Sequence, residues 1–120
     1  MFMRKPTRAK NDERAKRVAR NQAMYRQVNE RIEEVNEAFG EISGEFLVVC
    51  ECSNPVCAEQ IALSRQTYEE TRANPAQFIV RPGHQVADVE EIVATEAEYM
   101  VVEKHEGTPA QLAEKTNPRE

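Results

Sequence analysis

The chain has 120 residues, 31% of them charged and 6% aromatic, with no Trp and a formal net charge of −5. That length fits one domain with a modest core. The composition is too apolar for a wholly disordered chain, and no apolar run approaches the roughly 18 residues of a membrane span. No apolar h-region follows the basic residues after Met1, so a cytoplasmic chain without a secretory signal is expected.

Charge is unevenly spread. Residues 1–26 hold nine Lys/Arg against Asp12 and Glu13, a net of +7, which leaves −12 on the other 94 residues. Residues 1–11 read as a flexible basic arm, with Pro6 opposing a helix. Arg4, Lys5, Arg8, Lys10, Arg14, Lys16, Arg17 and Arg20 are the candidate phosphate contacts if that arm meets nucleic acid. A solvated arm is the competing reading, because the body is acidic and Phe2 is the arm's only aromatic. Burying little, residues 1–20 are expected to be dispensable for the fold.

From residue 12 to 39 the chain reads as one helix. Tyr25, Val28, Ile32, Val35 and Phe39 recur at spacings of 3, 4, 3 and 4. Gly40 supplies a stop. This stripe packs either against its own domain or against a second chain, giving a monomer or a helix-mediated homodimer. A linker at 41–45 leads to a strand at Phe46–Cys50, whose expected partner is Glu59–Leu63. Ser64 caps a helix ending before Pro75. Gln77–Arg81 reads as a third strand, ended by Pro82-Gly83. Asp88 and Glu91 suggest a capping box over a short helix containing Val89, Ile92 and Val93. Glu98–Glu103 reads as a fourth strand, and Thr108-Pro109 opens a short last helix. Residues 116–120 read as a polar tail, closing a domain at 12–115. The expected fold is α+β: a long N-terminal helix, then a small antiparallel sheet of about four strands with short helices and a zinc-knuckle-like loop.

The three cysteines, Cys50, Cys52 and Cys57, fall within eight residues. An odd, clustered set without a signal segment points to metal or redox chemistry rather than a disulfide framework. Cys50 and Cys52 at a strand end share a face, because side chains alternate with period two. Their Cα atoms are about 6.6 Å apart, and converging side chains can bring the sulfurs to the roughly 3.8 Å of a tetrahedral zinc site. The Asn54-Pro55 turn can fold Cys57 back onto them. Thiolates favour zinc, and a fourth ligand is needed. His84, in the Pro82-Gly83-His84 turn, is the first candidate. His105, a carboxylate such as Glu51 or Glu59, and water are the others. Idle buried thiols and a strained Cys50–Cys52 redox pair remain as competing readings.

The spacing Cys50-x-Cys52-x4-Cys57 resembles the post-SET zinc motif of lysine methyltransferases over eight residues only. That likeness implies metal binding and nothing about methyl transfer. More of the chain resembles a family of small uncharacterised bacterial proteins, through Asn29-Glu30-Arg31-Ile32-Glu33-Glu34, the cysteine triple, Ala73-Asn74-Pro75, Pro82-Gly83-His84 and Tyr99-Met100-Val101-Val102-Glu103-Lys104. The resemblance implies one intact domain, directs attention to His84 and implies no activity. There is no Gly-rich phosphate loop, G-x-S-x-G or H-E-x-x-H, so no catalytic residue is singled out. The expected function is a zinc-stabilised module binding a protein partner. A nucleic-acid-associated regulator and a thiol redox sensor are the alternatives.

Overall fold

The computed structural model describes residues 4–38 and 45–119, with side chains from residue 13 to 35 and from 45 onward. Helix α1 runs Arg4–Ala38 and is followed by strands β1 (Glu45–Val49) and β2 (Gln60–Ser64). Then come helix α2 (Arg65–Arg72), strands β3 (Gln77–Val80), β4 (Glu90–Thr95) and β5 (Met100–Lys104), and helix α3 (Thr108–Lys115). The α+β class holds. The strands form two antiparallel sheets instead of one: a β1–β2 hairpin, and a three-stranded sheet in the order β3-β5-β4. Phe39, the Gly40 stop and most of the 41–45 linker lie outside the described residues.

Two expectations about α1 are corrected. The helix begins eight residues before residue 12, so 4–11 form its first turns and Pro6 sits where a missing backbone donor costs nothing. Val18 and Ala19 are both buried, so residues 1–20 are not dispensable for packing.

The third correction concerns which face of α1 is inside. Val28 and Val35 are 42% and 45% exposed, and only part of the stripe, Ile32, leans on the core. The inner face is instead Val18, Gln22, Arg26, Asn29 and Glu33, spaced by 4, 4, 3 and 4. It is mostly polar, and tertiary hydrogen bonds hold it. Gln22 donates to Glu90, and Asn29 both donates to Val49 O and accepts from Val49 N. The Arg26 guanidinium lies 4.6 Å over the Phe78 ring and donates to Pro75 O and Ala113 O. Hydropathy periodicity cannot find a face whose burial depends on specific acceptors.

Around Asp88 the sequence expectation fails. Residues 90–95 form β4 rather than a helix. Ile92, Val93 and Thr95 are β-branched and suit a strand. Glu91, expected as the capping acid, is an exposed residue of β4, and Glu90 beside it is a buried partner of Lys104 at 3.0 Å, accepting also from Val86 N. Helix α2 forms as expected, with the Ser64 hydroxyl accepting from Thr67 N at 3.0 Å. The polar tail is tied down: Arg119 reaches Glu30 on α1 and Glu69 on α2.

The main core joins Phe46, Val48, Ile61, Leu63 and Tyr68 to Phe78, Ile79, Val80 and Val102, and it runs directly into the three cysteines.

Candidate metal centre

Strands β1 and β2 pair from Glu45↔Ser64 to Val49↔Gln60, and the loop closing them carries the cysteines. Cys50 N donates to Glu59 O at 2.8 Å, which extends the ladder one step beyond the strands. The Asn54 side chain accepts from Val56 N at 3.0 Å, and its carbonyl accepts from Cys57 N at 3.1 Å. This Asx turn returns the third thiol to the first two. Helix α1 clamps the same loop. Asn21 donates to Ser53 O at 2.8 Å, and the Tyr25 hydroxyl donates to Pro55 O at 2.9 Å.

His84 arrives from the turn after β3. Its backbone N–H donates to Arg81 O at 3.0 Å, and Gly83 takes φ +87, a conformation side chains rarely adopt. The turn aims Nδ1 at the thiols, 3.5 Å from Cys50 Sγ and 3.7 Å from Cys57 Sγ.

The donor atoms of Cys50, Cys52, Cys57 and His84 all lie within 4.8 Å of one another, a cluster able to hold a metal ion. Tetrahedral zinc with ordinary Zn–S and Zn–N bonds would set sulfur and nitrogen about 3.6 Å apart. The two His84 distances fit that edge. All three cysteines are buried, and the Arg81 N–H donates to Cys50 Sγ at 3.2 Å. Glu59 lies 3.5 Å from His84 Nε2 while its other oxygen meets Arg81 at 3.3 Å. A carboxylate on the outer ring nitrogen fixes the imidazole's orientation toward a metal.

Charge in the cluster is shared. The Cys50 hydrogen bond draws the Cys52 thiol down to about 5, while the same bond and burial push Cys50 up. Burial raises Cys57. Burial raises the Tyr25 phenol, and so does the negative charge of Cys52, Cys57 and Cys50. The hydrogen bond from Cys50 thus favours the thiolate form at Cys52.

Glu51, which the sequence offered as a fourth ligand, points away from the cluster. It is fully buried and bound by Arg72 on two oxygens, with further bonds from Asn29 and the Ile79 N–H. Nothing in the sequence separated it from the other carboxylates except its place between two same-face cysteines, which alternation sends to the opposite side. His105 is not among the converging donors.

Among the candidate phosphate contacts, Arg14, Lys16, Arg17 and Arg20 are exposed on α1, and Arg14 pairs with Asp88. The side chains of Arg4, Lys5, Arg8 and Lys10 lie outside those described. Among the described residues, no helix is long and apolar enough to cross a membrane.

No family model, curated protein or solved structure matches the chain. Function is therefore read from the donor set and the surface.

Proposed function

We propose that the chain is a small zinc protein in which Cys50, Cys52, Cys57 and His84 hold one structural Zn2+, and that it serves as a protein-interaction module. The convergence of four donors within 4.8 Å carries the reading. Three thiols and an imidazole suit zinc over harder ions such as Mg2+ or Ca2+. Four protein donors fill a tetrahedron and leave no position for substrate, which favours a structural over a catalytic role. The ion would weld the β1–β2 loop to the turn after β3, and so join the two sheets at one point. The interaction face is the outer side of α1, where Met24, Val28 and Val35 stand in solvent.

Native mass spectrometry of protein purified without added metal tests the site. One zinc per chain is expected. Metal-free protein with three intact, reduced thiols that takes up no added zinc would refute it.

A further inference from the structure

We propose that the outer face of α1 pairs antiparallel with the same face of a second copy of this chain. The inference deepens the interaction reading above and does not depend on the metal. It starts from the stripe that the fold leaves unused. Met24, Val28, Arg31 and Val35 follow one another at spacings of 4, 3 and 4, opposite the face that the body covers. Arg17 extends this line by two turns and is also exposed. Such a spacing is that of a two-helix seam.

Charge decides both partner and direction. Residues 4–20 of α1 carry eight Lys/Arg and two acids, whereas residues 21–38 carry Arg26 and Arg31 against Glu30, Glu33, Glu34 and Glu37. Arg26 and Glu33 are both buried, which removes one charge of each sign and leaves that half net acidic. An antiparallel pair centred near residue 26 overlaps residues 14–38 and so lays Arg14, Lys16, Arg17 and Arg20 of each helix along the acidic half of the other. A parallel pair would set Arg17 and Arg31 each against its own copy, and like charges at such positions repel.

The register follows from the apolar residues. A two-fold axis crossing α1 near residue 26 sets Met24 of each copy against Val28 of the other. It also puts Val35 beside the aliphatic stem of Arg17. On the flank, Arg20 of each copy then faces Glu34 of the other, two inter-chain ion pairs related by the axis. Both side chains are exposed, and among the described residues Glu34 meets the solvent-exposed Arg31 at 3.3 Å. The body packs on the opposite side of α1, so the two bodies lie on opposite sides of the helix pair and do not collide.

Sedimentation velocity of the full chain, from about 1 μM to about 1 mM, is the test, with metal content per chain measured on the same samples. The expected result is a mass rising from one chain to two with concentration. Glu34→Arg and Arg20→Glu should each weaken the dimer about tenfold or more, and the doubly reversed variant should return it to near the parent value. Val28→Asp should give monomer with unchanged melting, because the position is outside the core. A one-chain mass throughout would overturn the proposal. So would a dimer indifferent to these changes, and so would single reversals that tighten association. Zinc content that stays at one per chain in a monomeric variant separates this failure from failure of the metal site.

Discussion

Arg72 grips Glu51 with both ends of its guanidinium, at 2.8 and 3.0 Å, in a pair that solvent does not reach. Glu51 sits between two of the cluster cysteines, so this ion pair is anchored one residue from the sulfurs and faces the other way. Removing one partner strands a buried charge, which costs about 3–5 kcal/mol. Arg72→Met should therefore lower the urea midpoint severely. Glu51→Gln with Arg72→Met together should recover much of that loss. Equal stability of the single and double variants would contradict the pairing.

Metal removal should destabilise the whole chain. Structural zinc sites in small domains hold on the order of 10 kcal/mol of apparent free energy. Chelation or Cys52→Ser should lower Tm by more than about 10 °C. His84→Ala should weaken zinc binding by two orders of magnitude or so, while His105→Ala leaves it unchanged. Loss in the His105 variant alone would mean that the wrong imidazole has been assigned. Metal-competition titrations with a chromophoric chelator provide the comparison.

The cysteine triple, Ser64, the Pro82-Gly83-His84 turn and most strands were legible because each is a local device. A cap, a turn or an i, i+2 pair needs only neighbours in sequence. What escaped was long-range and polar. Asn29 and Arg26 look like solvent residues until the β1 backbone and the carbonyls of Pro75 and Ala113 reach them. The helix expected over 88–93 failed for the same reason: residues 90–95 pair with β5, and Glu90 is held there by the buried Lys104.

Arg26 should prove as important as any apolar residue. Burial pushes its pKa down to about 10, so it stays charged at neutral pH. Arg26→Met strands the carbonyls of Pro75 and Ala113, a loss of roughly 2–4 kcal/mol. Arg26→Lys should rescue little, since one ammonium cannot copy a planar fork that meets two carbonyls at 2.6 and 2.9 Å. Guanidinium denaturation of the three proteins measures both effects.

The Glu33 carboxyl, on α1 beside Glu69 and Arg119, should make stability depend on pH. Burial and the neighbouring Glu69 raise it from 4.5 to about 7, whereas Arg119 holds Glu69 down near 2. A carboxyl raised in the folded chain favours folding fully below 4.5, and that contribution is lost as pH rises through 7. Glu69 has the opposite sign, and its contribution disappears only as pH falls from 4.5 toward 2. Between pH 5 and 8, then, Glu33→Gln should gain on the parent by on the order of 1 kcal/mol. Parallel stability curves for the two proteins, at saturating metal, would count against this assignment.

The polar anchoring of α1 also sets an order of events during synthesis. The helix leaves the ribosome first, yet Arg26 must wait for Ala113, 87 residues later, and Glu30 for Arg119, 89 residues later. The cysteines and His84 lie at most 34 residues apart and can converge well before either. The nascent chain thus acquires its β-hairpin knot early, with α1 able to clamp it through Asn21, Tyr25 and Asn29, and the docking of the helix is completed only when Ala113 and Arg119 have emerged. A chain stalled before α3 would keep the knot and leave Arg26 and Glu30 on the inner face of α1 without their partners Ala113 and Arg119.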